Sequence, residues 1–206
     1  ILLLGKAYYM RASGNDYYDA QNRFEVFLIR FPDSKYAAEA KLWYGKTLMK
    51  LRLDDQAAKT FLEILSFTAD NDIRSESLIY LGDISVNELN YKAASGYYAE
   101  ASATASEKVL KQHAIFKAAY CFFKLNDYKL AEEYFDALEK TGPNFSDRFD
   151  ILLMKARALK LEGQYDKALS LLDDMIGDLR FNNYYIRAEF EIADVLRLKG
   201  KRQDAA

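Results

Sequence analysis

Two short runs in the sequence resemble ligand-binding motifs, but each lacks residues that the chemistry needs. Gly45-Lys46-Thr47 matches the end of a phosphate-binding loop, in which backbone N–H groups and a lysine hold phosphates. That pattern requires another glycine five residues earlier, where Ala40 stands. Asp70-Asn71-Asp72 matches the start of a calcium loop, but Arg74 and Ser75 occupy the places of the next ligand and the turn glycine. We therefore expect the first run inside a helix and the second at a helix start.

The residues that most often carry catalysis are scarce. There is one histidine, His113, and one cysteine, Cys121, and a general base needs an orienting partner and a nucleophile that no motif marks here. The acidic pairs Asp54-Asp55 and Asp173-Asp174 are adjacent in sequence, so their side chains do not face each other on a helix. The sequence predicts no catalytic, cofactor-binding or metal-binding residue, and therefore no enzyme activity.

The composition points to a helical chain with a substantial core. Of 206 residues, 50% are hydrophobic, and only 9 are glycine and 2 proline, which is too few for the many turns of most all-β folds. The 29 basic and 31 acidic residues nearly balance, whereas broad nucleic-acid binding needs a basic surface. No apolar run is long enough to span a membrane. We expect neither a nucleic-acid partner nor membrane insertion of this segment.

A repeat of 37 residues runs through the chain in three linked columns. An alanine recurs at this spacing six times, at Ala20, Ala57, Ala94, Ala131, Ala168 and Ala205. A bulky residue follows four positions later, at Phe24, Phe61, Tyr98, Phe135 and Leu172. A small residue precedes the alanine by twelve positions from the second copy on, at Gly45, Gly82, Ala119, Ala156 and Ala193. Such linked columns predict an array of similar structural units.

Each unit is predicted to be a pair of antiparallel helices. Apolar residues recur at helical spacing on both sides of a short turn such as Asn126-Asp127, where Asp127 is suited to an N-cap. The small residue and the alanine mark the close contact within a pair, and the bulky residue fills the gap to the next pair. The prediction is an all-α solenoid of about eleven helices, with repeats at about 1–33, 34–70, 71–107, 108–144 and 145–181 and a partial one at 182–206.

These columns resemble the tetratricopeptide repeat family, whose pattern is W-x₂-L-G-x₂-Y…A-x₃-F…P over 34 residues. Tyr44-Gly45…Leu48…Ala57…Phe61 follows it in the second repeat. The period here is three residues longer, and Ser85 and Lys155 stand where the family has apolar or aromatic residues. In the first repeat Leu4-Gly5…Tyr8 matches the first-helix motif, but three residues early relative to the alanine column. The resemblance implies a right-handed superhelix of stacked helix pairs.

One junction between helices makes the family resemblance more specific. The run 30–40, with Phe31-Pro32-Asp33-Ser34 at its centre, is similar to a linker of bacterial envelope tetratricopeptide proteins. Its residue types also suit a plain helix junction, in which Pro32 ends one helix and Asp33 or Ser34 caps the next. The resemblance favours a bacterial source and the periplasm or envelope over the cytoplasm. Because the sequence starts without Met and stops inside a repeat, we expect a fragment of a longer chain.

In this family the first helices line the concave face, so the resemblance places a partner there. The outward position next to the small-residue column carries Lys46, Asp83, Tyr120 and Arg157 in successive repeats, and Phe116 lies near Tyr120. The alternating charges do not suit one terminal carboxylate. They suit an extended segment or a helix with apolar anchors. Because a helical stripe of aromatics more often packs than binds, Phe116 and Tyr120 belong either to this groove or to the core.

The sequence therefore favours a non-catalytic scaffold that binds a protein or peptide on its concave face. Two alternatives stay open. The chain could be a structural spacer in an envelope or secretion assembly, or the helical accessory region of an enzyme whose catalytic domain lies outside the sequence. A weaker binding of a partner after Tyr120→Ala would favour the scaffold.

Overall fold

Eleven α-helices account for nearly all of the described chain. The computed structural model describes residues 1–12, 15–142, 145–178, 181 and 184–204, and for 145–147 and 201–204 only the backbone is considered. No β-strand occurs in these residues, which confirms the predicted all-α class and the predicted helix number. Pro143 and the sixth anchor alanine, Ala205, lie outside the described residues.

The chain divides into two compact units, Ile1–Ala114 and Ile115–Ala206. Unit 1 holds six complete helices and the start of a seventh, which crosses the boundary: α1 (Leu2–Arg11), α2 (Asp16–Arg30), α3 (Ala37–Lys50), α4 (Asp54–Phe67), α5 (Asn71–Asn87), α6 (Tyr91–Thr104) and α7 (Lys108–Lys124). Unit 2 holds the end of α7 and four further helices: α8 (Tyr128–Lys140), α9 (Phe145–Leu161), α10 (Tyr165–Gly177) and α11 (Tyr185–Asp204). Odd-numbered helices are the first helices of the predicted pairs, and even-numbered helices are the second. The single solenoid with its repeat boundaries stays a prediction.

The turns inside the second to fifth pairs repeat the same backbone conformation. Arg52, Leu89, Asn126 and Gly163 all have positive φ, between 61° and 80°, and they are 37 residues apart. The residue after each of them donates its N–H back to a carbonyl in the last turn of the preceding helix, as Asn90 does to Ser85 at 2.8 Å. This is a Schellman-type helix end, which satisfies carbonyls that the helix leaves without partners. The 37-residue period therefore exists in the backbone as well as in the sequence.

The close contact inside the three helix pairs of unit 1 lies at a glycine of the first helix. A Cβ added to Gly45 would lie 2.6 Å from Phe61 Cε1, and one added to Gly82 would lie 2.6 Å from Tyr98 Cζ. The absence of a side chain on the first helix thus lets a buried ring of the second helix rest against its backbone. Phe61 also stacks on Tyr80 of the next first helix, with ring centroids 5.2 Å apart. This agrees with the predicted role of the bulky residue between pairs.

The same contact fixes the register of the first repeat. A Cβ on Gly5 would lie 2.7 Å from Phe24 Cε1, so Gly5 is the structural counterpart of Gly45 although it lies three residues early. Relative to the second repeat, the three extra residues are shared between the end of α1, the connection to α2 and the start of α2, since α1 extends to Arg11 and α2 begins at Asp16. Tyr8, which stands twelve residues before Ala20, therefore does not take the place of the small residue in the first repeat.

Side-chain caps begin several helices. Asp70, Asn90 and Asp127 each accept hydrogen bonds from backbone N–H groups in the first turn that follows, which confirms the expected cap at Asp127 and the helix start at Asp70. The carboxylate of Asp72 accepts an N–H bond from Ser106 at 2.7 Å. Asp70 and Asp72, the two acids of the calcium-like run, thus accept hydrogen bonds from backbone N–H groups.

The junction between the first two pairs differs from the prediction in one detail. Helix α3 begins after Tyr36, and no side chain caps it. Ser34 Oγ instead accepts the N–H of Tyr36 at 3.2 Å, which stabilises the turn before the helix. The expectation that Asp33 or Ser34 caps this helix was therefore wrong.

Candidate functional site

The five predicted groove residues fall into two groups, because Lys46 and Asp83 belong to unit 1 whereas Phe116, Tyr120 and Arg157 belong to unit 2. All five lie on first helices.

In unit 1, Lys46 reaches from α3 to α5. Its Nζ donates to Glu76 Oε1 at 2.9 Å and lies over the rings of Trp43, at 4.1 Å from the centroid, and Tyr80, at 5.5 Å. The lysine is therefore held by an ion pair and by cation–π contacts. The neighbouring Thr47 is buried and donates its hydroxyl to the Trp43 carbonyl at 2.8 Å. The phosphate-loop-like run is thus an ordinary part of helix α3.

Trp43 is the centre of a stack that the sequence did not reveal. The Nζ of Lys6, on α1, also lies 5.3 Å from the Trp43 ring centroid and pairs with Glu39. Tyr9 meets the same indole edge to face, with centroids 5.2 Å apart. Since Gly5 is the counterpart of Gly45, Lys6 is the counterpart of Lys46. Aligning the first two repeats on Gly5 and Gly45 would have identified Lys6 from the sequence.

Asp83 lies on α5, the first helix that follows α3 in unit 1. It is half-buried, and Oδ1 accepts the hydroxyl hydrogen of Tyr98 at 2.5 Å. Tyr98 is the ring that rests on Gly82. Asp83 therefore also anchors a residue of the helix-pair contact.

In unit 2, the aromatic residues of α7 divide between packing and surface. Phe116 is half-buried and packs against a cluster that contains Ile115, Phe135 and Ile151. Tyr120 is also half-buried, and the Nζ of Lys124 lies 5.3 Å from its ring centroid. Because both rings retain some exposure, either can contribute to packing and to a surface at once.

Cys121, on the same helix, is fully buried. This agrees with its interpretation as a small packing residue.

Arg157 belongs to a ladder of alternating charges between α9 and α11. Its Nε donates to Glu191 at 2.6 Å, Lys160 bridges Glu191 and Asp194 at 2.7 and 2.8 Å, and Arg197 donates to Asp194 at 2.5 Å. The inner members are the most buried, since Lys160 and Glu191 expose 11% and 13% of their side chains. The two arginines at the ends expose 42% and 56%. This charge-ladder, as we call these five residues, links neighbouring first helices.

The ladder shifts the pKa values of its members. Burial by itself lowers the pKa of Lys160, but its hydrogen bonds with Asp194 and Glu191 outweigh burial and raise it. Hydrogen bonds from Lys160 and Arg197 lower the pKa of Asp194 to about 2. Burial alone would raise the pKa of Glu191, but the bonds from Lys160 and Arg157 lower it. Lys160, Glu191 and Asp194 are therefore all charged at neutral pH.

Lys155 stands at a position where the family has an apolar residue, and it too is held by carboxylates. Its Nζ pairs with Asp136 and Glu139 of α8, both at 2.7 Å. Burial lowers its pKa, but these bonds outweigh burial and raise it. The side chain thus connects two helices through charge where the family uses an apolar contact.

Within the described residues, no group of three or more potential ligands is placed to hold a metal ion. None of the described helices combines the length and the apolar character needed to cross a bilayer.

Comparisons with known proteins agree with this architecture. Residues 113–144 match the tetratricopeptide repeat family model. The mitochondrial import receptor subunit tomm-70 of Caenorhabditis elegans is 34% identical over 84 residues, which are 40% of this chain and 15% of the receptor. The chain therefore matches only a small part of that curated relative.

Two solved structures show the same fold. One is a signal transduction ATPase with a tetratricopeptide repeat sensor from Pyrococcus horikoshii, with a TM-score of 0.75, 21% identity, and coverage of 96% of this chain and 33% of that chain. The other is YrrB, described as a tetratricopeptide repeat protein with an unusual peptide-binding site, with a TM-score of 0.66, 17% identity and 88% coverage of both chains. Residues 113–144 are thus a tetratricopeptide repeat, and the chain has the helical fold of tetratricopeptide repeat proteins.

Proposed function

We propose that this chain is a non-catalytic scaffold that binds a protein or peptide segment on the surfaces formed by its first helices. The observation that carries the proposal is the charge-ladder of unit 2. It joins two neighbouring first helices and leaves Arg157 and Arg197 exposed at its ends. The fold supports it, since helical repeats create extended surfaces that suit elongated partners.

The candidate residues have different roles in this proposal. Tyr120 and Arg157 would contact the partner directly, with Phe116 as an apolar neighbour. Lys46 and Asp83 would form the corresponding surface of unit 1, where each already holds a neighbouring side chain. The peptide-binding site named for YrrB shows that this fold can serve such a purpose. A periplasmic or envelope location would suit the spacer alternative as well as the scaffold.

The proposal can be tested with peptides selected from a display library against the chain. Binding of a selected peptide is measured by fluorescence anisotropy for the wild type, Tyr120→Ala and Arg157→Ala, with circular dichroism to confirm folding. We expect each variant to bind at least about tenfold more weakly, the usual effect of removing an anchor residue. Tyr18→Ala is the matched control, since Tyr18 is 63% exposed on a second helix, and it should bind like the wild type.

The result also separates the scaffold from the spacer. If folded Tyr120→Ala and Arg157→Ala variants bind every selected peptide as the wild type does, the first-helix surface of unit 2 is not the binding site. If Phe190→Ser then abolishes binding of the selected peptides, docking at the exposed apolar residue Phe190, away from Tyr120 and Arg157, becomes the better explanation.

A further inference from the structure

Unit 2 separates its charges between first and second helices. Its first-helix segments, 115–124 of α7 with α9 and α11, contain 11 basic and 6 acidic residues. Its second helices, α8 and α10, contain 3 basic and 7 acidic residues. The whole chain has a formal charge of only −2. The excess of basic residues on the first helices of unit 2 is therefore not visible in the net charge of the whole chain.

The charge-ladder gives this basic character a defined geometry. It contains three cations and two carboxylates, and it ends in a cation at both sides. The inner Lys160 is already held between two carboxylates, whereas Arg157 uses only its Nε toward Glu191. An acidic group of a partner would extend the alternation at either end. The guanidinium group also suits this role, since it can bind a carboxylate through two parallel hydrogen bonds.

Partly exposed aromatic rings lie on α7, the first helix that precedes α9 in the chain. Tyr120 and Phe123 are both half-buried, and Lys124 lies over the Tyr120 ring. A partner that contacted the arginines alone would leave these rings uncovered. Acidic residues interspersed with leucine or aromatic residues would match both features.

We infer that the partner of unit 2 is an internal acidic segment of a protein, with leucine or aromatic anchors, that binds along the first helices through Arg157, Arg197 and Tyr120. This inference rests on the proposed function and specifies its ligand. The segment is internal because the most enclosed cation of the ladder, Lys160, is neutralised by Glu191 and Asp194. A single terminal carboxylate would find no buried cation to hold it, whereas side chains along a segment can reach both exposed arginines.

The test uses synthetic 18-residue peptides with blocked ends and a fluorescent label. The main probe contains Asp, Glu, Ser, Leu and Phe. A charge-inverted probe replaces each acid by lysine, and a third probe replaces Leu and Phe by serine. A further copy of the main probe has a free C-terminal carboxylate, and a single-stranded oligonucleotide represents an anionic partner that is not a protein. Anisotropy is measured at low and at moderate salt concentration.

We expect the main probe to bind at least tenfold more tightly than the charge-inverted and serine probes, and more weakly as salt increases. The free carboxylate should change its affinity less than twofold. Arg157→Gln combined with Arg197→Gln should weaken binding at least tenfold, while Arg157→Lys with Arg197→Lys should weaken it less, because lysine keeps the charge and loses the paired hydrogen bonds. Lys129→Gln with Lys167→Gln is the matched control, since both lysines are exposed on second helices, and it should change binding less than twofold.

Three results would overturn the inference. The charge-inverted probe could bind as tightly as the main probe, or the oligonucleotide could bind more tightly than the main probe. The third is that Lys129→Gln with Lys167→Gln weakens binding as much as Arg157→Gln with Arg197→Gln. These results are distinguishable from failure of the proposed function. If display-selected peptides still require Tyr120 but are not acidic, the scaffold stands and the acidic partner is rejected. If no peptide requires the first-helix surface, both are rejected.

Discussion

The contact between Gly82 and Tyr98 allows a stability prediction whose sign is decided by packing. In Gly82→Ala, the new Cβ would lie 2.6 Å from Tyr98 Cζ and 2.8 Å from Cδ1, well inside van der Waals contact. The ring cannot easily swing away, because Tyr98 is fully buried and its hydroxyl donates to Asp83. Either the helices separate slightly or the ring leaves its position.

Two effects of opposite sign act on the free energy of unfolding. Replacing glycine by alanine inside a helix stabilises it by about 1 kcal/mol through backbone entropy. Overpacking of a tight core costs about 1–3 kcal/mol, and the loss of the hydrogen bond from Tyr98 to Asp83 would add about 1 kcal/mol. Packing is therefore the larger effect, and we expect Gly82→Ala to destabilise the chain by about 2 kcal/mol.

Urea denaturation followed by circular dichroism measures this change, and Gly96→Ala provides the matched control. Gly96 is an exposed glycine of helix α6, and a Cβ added there has no atom within 4 Å. Only the propensity effect acts at this site, so Gly96→Ala should stabilise the chain by up to about 1 kcal/mol. In a Tyr98→Leu background, the penalty of Gly82→Ala should shrink, since the ring is gone. The reasoning fails if Gly82→Ala and Gly96→Ala change stability alike.

Three further predictions concern the turns, the charge-ladder and the buried thiol. Leu89 is exposed and has a φ of 61°, so Leu89→Gly should raise the free energy of unfolding by about 1 kcal/mol in urea denaturation, while Gly163→Ala at the equivalent turn should lower it by a similar amount. The folded-state pKa of Asp194 lies at about 2, below its unfolded value, so the unfolded chain takes up this proton first as pH falls. Stability should therefore decrease between about pH 4 and pH 2, by about 1 kcal/mol after allowance for solvent screening, and Asp194→Asn should remove this part of the acid dependence. Cys121 should react with a thiol reagent only at the rate of unfolding, because its sulfur is buried, and rapid labelling of the folded chain would contradict its placement.

Sequence periodicity predicted the architecture because packing imposes it at every repeat. Glycine or alanine must stand where a ring of the second helix approaches the first helix, and that requirement is visible as a column with a fixed period. Gly45 opposite Phe61 and Gly82 opposite Tyr98 are the direct result. The turns follow the period as well, since the positive-φ residue comes seven positions after the small residue of that contact, as Arg52 does after Gly45 and Leu89 after Gly82.

The details of the candidate site were harder to predict because they depend on neighbours from other repeats. Lys6 and Lys46 both lie over Trp43, but a three-residue shift in the first repeat hides their equivalence. Lys155 stands where the sequence pattern has an apolar residue, and only the structure shows its ion pairs with Asp136 and Glu139. Pairings of this kind have no fixed spacing, so one sequence does not reveal them.

The charge-ladder contributes little to stability, and its value in the proposed scaffold would be recognition. Exposed ion pairs contribute about 0–1 kcal/mol, and burying charges such as Lys160 and Glu191 carries a desolvation penalty that their attraction must offset. The net contribution to folding is therefore modest. Its structural consequence is that Glu191 and Asp194 hold the two arginines in fixed orientations. A partner that binds an ordered side chain avoids an entropy loss of about 0.5–1.5 kcal/mol for each one. For the proposed scaffold, the ladder would thus improve binding by pre-organising Arg157 and Arg197. Replacing its carboxylates by the amides Glu191→Gln and Asp194→Asn should then weaken an acidic partner, even though two negative charges have been removed from the surface.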